Sequence, residues 1–165
     1  MKVYTTVDSP LGELLLVGEE RPGGGVVVDS LSLPGQKGAA VVQDGWRRDD
    51  TALAAVADQL RAYFRGTRTH FDIETTVRGT AFQQRVWQAL EAIPYGTTTT
   101  YGKLAAEIGA SRAAVRAVGT AIGRNPVLVL RPCHRVIGAD GTLTGYAGGL
   151  ESKQRLLTLE SGAVG

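Results

Sequence analysis

A single cysteine, Cys133, lies among residues that could make its thiol reactive. His134 and Arg135 follow it directly, and Arg131 lies two residues before it. A thiol reacts as its thiolate, and a neighbouring base or positive charge favours that form. Cys133 is therefore a candidate nucleophile, while the plainer alternative of an inert core cysteine stays open.

Glu160 is a second candidate, because its spacing puts a carboxylate on an apolar face of the last predicted helix. It lies four residues after Leu156 and three after Leu157, so the three side chains share one face. A buried carboxylate needs a partner, and this one could orient an imidazole as acids do for catalytic histidines. An exposed helix end is the equally open alternative.

The sequence offers little for a metal or a disulfide. Cys133, His70 and His134 are its only cysteine and histidine residues, too few for a structural zinc site. One cysteine also excludes an internal disulfide. We expect no metal and no cofactor.

The length of 165 residues fits one large domain or two small ones. Hydrophobic residues make up 43% and charged residues 21%, close to the globular average, which excludes a wholly disordered chain. The longest apolar run, Ala52 to Ala57, is too short to cross a bilayer, and the first residues lack the apolar stretch of a secretory signal. We expect a cytoplasmic protein with no membrane partner.

Charge is distributed unevenly along the chain. Residues 1–74 contain 8 Lys/Arg and 11 Asp/Glu, a balance of −3, whereas residues 75–165 contain 10 and 5, a balance of +5. A basic half is typical of a segment that meets a polyanion, although ordinary variation in surface charge can also produce this difference.

The N-terminal part predicts a small sheet packed by one helix. Strands are predicted over Lys2–Val7, Leu11–Val17 and Val26–Leu33. Residues 34–48 show no period and are expected to form a surface loop. The apolar spacing from Leu53 to Phe64 then predicts a helix, with Asp49, Asp50 and Thr51 as candidate N-caps.

The second half changes character and predicts mainly helices. Thr80 can cap a helix that continues to Ile93. Helices over Tyr101–Ile108 and from Ser111 to about Ile122, joined by a tight turn, form a helix-turn-helix pattern. The second of these helices is rich in Ala and Gly, which fits either close core packing or close approach to DNA.

A short apolar run, Val127–Leu130, favours a buried strand that leads into Cys133. Because neighbours on a strand point to opposite sides, a bridging water is the expected link between Cys133 and His134. A hairpin-like loop from Gly138 to Gly145 and a last helix after Gly149 complete the chain.

Pro132-Cys133-His134-Arg135-Val136 resembles the active-site motif of the O6-alkylguanine-DNA alkyltransferases. Further motifs follow the order of that family: Gly79-Thr80-Ala81-Phe82-Gln83, Val86-Trp87, Ile93-Pro94-Tyr95-Gly96, Tyr101-Gly102-Lys103-Leu104-Ala105, Arg116-Ala117-Val118-Gly119, Asn125-Pro126 and Gly145-Tyr146-Ala147-Gly148-Gly149-Leu150. The resemblance covers residues 70–160 strongly and the N-terminal part only in size and layout.

The resemblance implies an α+β fold in two domains. Residues 1–74 would form a small ribonuclease-H-like sheet-plus-helix domain, and residues 75–165 a winged-helix-type domain with the helix-turn-helix, which binds DNA and accepts the alkyl group. The implied function is DNA repair by direct reversal in a single turnover. The implied partner is double-stranded DNA containing O6-alkylguanine, bound by a monomer.

Five catalytic roles follow from the resemblance. Cys133 would accept the alkyl group, and His134 would act through a water as its base. Glu160, 27 residues after Cys133 as in the family, would orient the imidazole. Asn125 would hold the active-site turn together, and Tyr101 would donate a hydrogen bond to guanine N3.

The resemblance also implies a substrate pocket and a DNA-binding helix. The carbonyls of Cys133 and Val136 would accept from the exocyclic amine of guanine. Tyr146, Ala147 and Gly148 would line the pocket, with a backbone N–H near O6. Arg116 would enter the base stack in place of the flipped nucleotide, and small residues would let the helix approach the minor groove. Those small residues are Ala114, Ala117 and Gly119.

The sequence departs from the family pattern at three places. The segment from Tyr101 to Arg116 is one residue longer. Position 131 is Arg where an aliphatic residue is usual, which predicts a solvent-facing side for the strand. Ala147 stands where some relatives have Ser.

Three other functions explain less of the sequence. A non-catalytic alkyltransferase-like lesion binder would lack the cysteine. A thiol hydrolase would need turnover and an oxyanion hole, and would leave Arg116 unexplained. A DNA-binding regulator would leave the set of Cys133, His134 and Glu160 without a purpose.

Overall fold

The computed structural model describes residues 1–76 and 78–162, and the chain folds as two units, Met1–Val77 and Arg78–Gly165. The first unit carries a sheet and one helix, and the second is mainly helical. The domain limits inferred from the sequence, 1–74 and 75–165, stay a prediction.

The sheet of the first unit follows from alternating burial. In β1 (Lys2–Ser9), Val3, Thr5 and Val7 are buried while the residues between them are more exposed. β1 pairs antiparallel with β2 (Gly12–Glu20), which pairs antiparallel with β3 (Val26–Ser32). The short β4 (Arg47–Arg48) adds in parallel to β1, so the strand order is β3-β2-β1-β4. The three predicted strands are confirmed, and the predicted loop contains one short strand at its end.

Helix α1 (Ala54–Phe64) packs on β1 and buries Val56, Leu60 and Tyr63. The predicted side-chain cap is wrong, because the N-cap position is Leu53. Asp49 instead accepts a hydrogen bond from the Ala52 N–H at 2.9 Å in the preceding turn.

The second unit begins with α2 (Ala81–Glu91), capped as predicted. Thr80 and Gln83 form a reciprocal capping box. Helix α3 (Tyr101–Glu107) is capped by the Thr100 hydroxyl, which accepts from the Lys103 N–H. A 3-10 turn (Arg112–Ala114) then leads into α4 (Val115–Gly123).

The helix-turn-helix is therefore present, with two differences at its second helix. Ser111 lies at the N-cap position of the 3-10 turn, but its side chain makes no capping hydrogen bond. Ala114 belongs to that turn and not to α4, so the α-helix begins later than its Ala-rich sequence predicts.

The predicted strand over Val127–Leu130 is wrong, because three of its four residues, Leu128, Val129 and Leu130, form a turn. Val129 adopts a φ of 71°, a left-handed conformation that a strand cannot contain. The chain continues into a 3-10 turn (Cys133–Arg135) and then β6 (Val136–Ile137). β6 pairs in parallel with β5 (Thr99–Thr100), just before α3, and α5 (Leu150–Glu160) follows the last loop.

Candidate active site

Asn125 builds the turn that carries Cys133. Its Oδ1 accepts from the Val127 N–H at 3.1 Å, and its Nδ2 donates to the Arg131 carbonyl at 3.0 Å. The same carbonyl accepts the Cys133 N–H at 2.8 Å. These local bonds replace the ladder that a strand would need, which explains why the apolar run folds back on itself.

The Cys133 thiol is buried, with 5% of the residue exposed. Burial raises its pKa to about 11, while a hydrogen bond from Asn125 and the charges of Lys153 and then Arg131 act in the opposite direction. The resting thiol is therefore protonated at neutral pH. Burial outweighs the neighbouring charges in the resting protein, although Arg131 acts in the expected direction, and the activation of the thiol by adjacent positive charge stays a prediction.

Glu160 accepts hydrogen bonds from two buried side chains. Its Oε2 lies 2.7 Å from His134 Nε2. Arg135 donates to the same carboxylate from two nitrogens. Its Nε lies 2.6 Å from Oε1, and its Nη2 lies 3.0 Å from Oε2. Glu160 is 5% exposed, so the alternative of an exposed helix end is wrong. The Arg135 charge is directed at Glu160. Its position near Cys133 in the sequence does not reveal this.

Arg135 also explains a motif upstream. Its Nη1 donates to the Ile93 carbonyl at 2.6 Å, and its guanidinium carbon lies 5.7 Å from the centre of the Tyr95 ring. The turn after α2 thus shapes the wall behind Glu160.

His134 is placed to act as a neutral base. Its side chain is fully buried, and burial lowers its pKa although Glu160 acts in the opposite direction. A neutral imidazole whose Nε2–H donates to Glu160 has its lone pair on Nδ1. That Nδ1 atom is buried and has no hydrogen-bond partner within residues 1–76 and 78–162. In this tautomer Nδ1 is the ring nitrogen that can accept a proton.

Lys153 is a feature of the site that the sequence reasoning missed. The residue is completely buried on α5, and its Nζ donates to the Val136 carbonyl at 2.6 Å and to the Gly145 carbonyl at 3.0 Å. Burial lowers its pKa, whereas the charge of Cys133 acts to raise it. The available signal was spacing, since Lys153 shares a helix face with Leu156 and Glu160.

Cys133 faces a cavity of about 170 Å³ in the second unit. The cavity is lined by Tyr101, Gly119, Ile122, Gly123, Cys133, Gly145, Tyr146 and Ala147. Val136 and Gly148, also expected in the pocket, lie outside this lining, and the Val136 carbonyl already accepts from Lys153. The Tyr101 hydroxyl accepts a hydrogen bond from the Thr144 hydroxyl at 3.1 Å, which leaves its own proton free to donate into the cavity.

Helix α4 joins this cavity to the protein surface. Gly119 faces the cavity, whereas Arg116 and Ala117 are exposed, and Ala114 is half-buried in the preceding turn. A small residue at position 119 therefore leaves room beside Tyr101.

The positive charge of the second half is only partly on the surface. Arg131, Arg135 and Lys153 are buried, as is Glu160. Seven exposed Lys/Arg and four Asp/Glu remain in residues 75–165, a balance of +3. The charge that could meet a polyanion is smaller than the sequence count suggests.

Arg131 contradicts the prediction of a solvent-facing side chain. The residue is 6% exposed, and its Nε and Nη2 donate to Glu91 Oε1 at 3.2 and 3.0 Å. Because the segment is a turn and not a strand, its side chain is directed toward α2.

No cluster of three or more His, Cys, Asp or Glu side chains suited to a metal ion occurs within residues 1–76 and 78–162. In that same part of the chain no helix is long and apolar enough to span a membrane.

A helix-turn-helix unit whose second helix lines the same cavity as a buried cysteine defines a class of DNA-binding protein that carries its own nucleophile. The chain belongs to the 6-O-methylguanine DNA methyltransferase family. The family's DNA binding domain matches residues 81–162, and its ribonuclease-like domain matches residues 2–77. The expected α+β fold, with a ribonuclease-like domain before a DNA-binding domain, is confirmed.

Named relatives agree with this assignment. The chain is 51% identical over 157 residues to a methylated-DNA–protein-cysteine methyltransferase of Mycolicibacterium paratuberculosis, covering 95% of this chain and 91% of the relative. It is 44% identical to the protein of the same name from Methanosarcina acetivorans, covering 95% and 97%. The crystal structure of Mycobacterium tuberculosis OGT in complex with DNA superposes with a TM-score of 0.85 at 48% identity, covering 97% of this chain and 93% of that one.

Proposed function

We propose that this protein repairs DNA by direct reversal, moving one alkyl group from O6 of guanine to the Cys133 sulfur. The observation that carries the proposal is the position of Cys133 in the wall of the cavity that Tyr101 and α4 also line. The partner is double-stranded DNA containing O6-alkylguanine, bound by a monomer. A cytoplasmic location stays a prediction.

Proton transfer is the first requirement, because the resting thiol is protonated. A water between the Cys133 thiol and His134 Nδ1 would carry the proton to the imidazole as the sulfur attacks. Glu160, at 2.7 Å from Nε2, stabilises the imidazolium that forms. Lys153, which donates to the carbonyls of Val136 and Gly145, adds positive charge that acts on the thiol.

The bond changes form a single displacement. The Cys133 sulfur forms a bond to the alkyl carbon as the bond from that carbon to guanine O6 breaks. The electron pair stays on the purine, and the proton taken by His134 returns to the purine to give neutral guanine. Tyr101, with its hydroxyl proton free, would donate to N3 and stabilise the leaving purine.

The remaining pocket contacts are proposals of the same kind. The Cys133 and Val136 carbonyls would accept from the exocyclic amine; the Val136 oxygen has a second lone pair beside the one used by Lys153. The backbone at Tyr146, Ala147 and Gly148 would supply an N–H near O6.

Base flipping explains the design of α4. A lesion inside a duplex must leave the stack to reach a buried thiol, at a cost of a few kcal/mol. The exposed Arg116 would fill the gap, and the small side chains of Ala114, Ala117 and Gly119 would permit close approach to the minor groove. Contacts there depend little on sequence, which suits a protein that must find damage anywhere.

The transfer occurs once per molecule. The product is a thioether, and neither the His134 imidazole nor the Glu160 carboxylate can hydrolyse a carbon–sulfur bond. Cys133 itself separates this function from a non-catalytic lesion binder.

Intact-protein mass spectrometry tests the proposal. Mixed with a duplex containing O6-methylguanine, the protein should gain the mass of one methyl group, on the peptide that contains Cys133, and then stop. Cys133→Ser should bind the same duplex without gaining mass, and a duplex with guanine at that position is the control. Unmodified protein with continued release of methanol would indicate a hydrolase, and binding without any mass gain by the wild type would indicate a lesion binder.

A further inference from the structure

Arg131 lies two residues before Cys133, and its side chain binds helix α2. Its Nε and Nη2 both donate to Glu91 Oε1, at 3.2 and 3.0 Å, at the end of α2. Its guanidinium carbon lies 5.4 Å from the centre of the Trp87 ring, one turn earlier on that helix. The side chain is only 8% exposed.

The backbone of Arg131 is also hydrogen-bonded, through both its carbonyl and its N–H. Its carbonyl accepts from both Asn125 Nδ2 and the Cys133 N–H, and its own N–H donates to the Val127 carbonyl at 3.0 Å. A displacement of Arg131 would therefore shift the peptide group that holds Cys133.

The aromatic ring that contacts the guanidinium is buried and hydrogen-bonded. Trp87 Nε1 donates to the Ala121 carbonyl on α4 at 2.9 Å, and Trp87 is itself 2% exposed. A methyl group at Gly79 would come within 2.6 Å of the Trp87 ring, so the Gly79 backbone packs closely against the ring. Arg131 thus packs against a ring that is held by a hydrogen bond and by a close backbone contact.

The charge of Arg131 is incompletely compensated. Glu91, its ion-pair partner, is half-exposed, with 51% of its side chain accessible to solvent. Arg131 Nη1 is buried and has no hydrogen-bond partner within the described ranges 1–76 and 78–162. Solvent screens the negative charge of the half-exposed Glu91 carboxylate more than the positive charge of the buried Arg131 guanidinium. The electrostatic potential that the pair produces at buried groups is therefore positive.

We propose that Arg131 is a positioning residue for alkyl transfer, which fastens the turn of Cys133 to α2 and holds a fixed positive charge near the thiol. The proposal rests on the proposed function of Cys133. Arginine suits both tasks, because its planar guanidinium can use two nitrogens on a carboxylate and still stack on an aromatic face.

Other groups that face Cys133 set the scale of the effect. Lys153 on α5 contributes more positive charge than Arg131, and Asn125 contributes a hydrogen bond. Tyr101 on α3 and Tyr146 in the loop after β6 share the cavity wall. His134 lies next to Cys133 in the 3-10 turn, where Glu160 binds both its imidazole and the Arg135 guanidinium. The contribution of α4 to the lining, Gly119, Ile122 and Gly123, carries no charge. Arg131 should therefore tune the thiol, with Lys153 exerting the larger influence.

The test measures the rate at which iodoacetamide alkylates Cys133 between pH 7 and pH 12, with no DNA present, so that the range extends past the wild-type midpoint expected near pH 11. Arg131→Met keeps an unbranched chain and removes the charge, and should move the midpoint upward by about half a pH unit, or roughly threefold in thiolate at fixed pH. Glu91→Gln removes the opposing charge at a half-exposed position and should move the midpoint downward. Arg155→Met and Glu151→Gln, which remove an exposed ion pair of α5, are the matched controls and should leave the midpoint unchanged.

Arg131→Lys separates position from charge. It should keep the wild-type midpoint, because the charge remains, and should slow methyl transfer from duplex DNA severalfold, because lysine cannot reproduce the two-nitrogen contact and the stacking. Profiles of Arg131→Met and Glu91→Gln that superimpose on the wild type would overturn the proposal. So would an Arg131→Lys protein that transfers at the wild-type rate. If Arg131→Met fails to fold, the midpoint of Glu91→Gln still tests whether the charge of this ion pair acts on the thiol.

The iodoacetamide readout does not depend on DNA repair. If the midpoints move but the wild type takes no methyl group from O6-methylguanine, the proposed function fails while the role of Arg131 toward the thiol stands. If methyl transfer occurs and the midpoints do not move, the proposed function stands and the role of Arg131 toward the thiol fails.

Discussion

His134 Nε2 and Glu160 Oε2 lie 2.7 Å apart, and both side chains are withdrawn from solvent. The carboxylate therefore determines which imidazole nitrogen carries the proton and which can accept one. Because Arg135 uses the same carboxylate, the orientation of the base depends on a three-residue buried network and not on a single contact.

Glu160→Gln should separate this network from DNA binding. The amide keeps the size but loses the charge that stabilises the imidazolium, so methyl transfer should slow by about 10- to 100-fold and the pH profile of Cys133 alkylation should move upward. Leaving Arg135 without its counter-charge should also lower the free energy of unfolding by about 3 kcal/mol. Affinity for undamaged duplex should stay unchanged. Glu151→Gln, exposed on the same helix, is the control, and superimposable pH profiles for Glu160→Gln and the wild type would contradict the relay.

Arg116→Ala should distinguish base flipping from chemistry. The side chain is exposed on α4 and does not line the cavity that Cys133 faces, so its loss should slow repair of duplex DNA by about tenfold while the reaction with free O6-benzylguanine changes much less. Arg112→Ala, an exposed cation in the preceding turn, controls for general phosphate attraction. An equal loss on both substrates would place Arg116 in the pocket chemistry instead.

Asn125→Ala should loosen the turn that carries Cys133. It removes the donor to the Arg131 carbonyl and the acceptor for the Val127 N–H, both in a buried setting, at a cost of about 2 to 4 kcal/mol in unfolding free energy. Asn125→Asp keeps the acceptor and should lose less from the Val127 contact, but it places a negative charge beside the thiol. We expect Asn125→Asp to react with iodoacetamide only at higher pH than the wild type. Urea unfolding and the alkylation profile measure the two effects, and a fully stable, fully active Asn125→Ala would refute the assignment.

The buried thiol should make stability fall in alkaline solution. The folded-state pKa of Cys133 is raised by burial to about 11, from an ordinary value near 9, so the unfolded state loses its proton first as the pH rises. Stability from this group is fully present below pH 9 and is lost between pH 9 and about 11, by up to about 3 kcal/mol. The difference in unfolding free energy between the wild type and Cys133→Ala, measured at pH 7, 9 and 10.5, isolates the effect from other titrating groups. A difference that does not change with pH would show that the thiol titrates normally.

Lys153→Met should raise the pKa of Cys133 further and slow transfer. The substitution keeps the length of the side chain but removes the positive charge and the donor to the carbonyls of Val136 and Gly145. We expect about 1 to 3 kcal/mol of destabilisation from the unpaired acceptors. Lys103→Met, exposed on α3, should leave both quantities unchanged. An alkylation midpoint for Lys153→Met at or below that of the wild type would contradict the electrostatic role.

Local patterns in the sequence were sufficient for most elements. The β-prone residues of Lys2–Val7 predicted β1, and Thr80 as an N-cap predicted the start of α2. Both depend on residues a few positions apart, so the chain needs no distant partner to favour them. The strand expected over Val127–Leu130 failed because the Asn125 side chain hydrogen-bonds the backbone of that segment, and this overrides its apolar composition.

The sequence by itself identified the candidate nucleophile, the neighbouring candidate base and the family of motifs that surrounds them. Only the tertiary structure decided which charges act on the thiol. Arg135, two residues after Cys133 in the sequence, is bound by Glu160, whereas the charge of Lys153, 20 residues away, acts on the thiol. The reason is physical: burial and Coulomb interactions depend on distances through space, and a one-dimensional spacing does not define them.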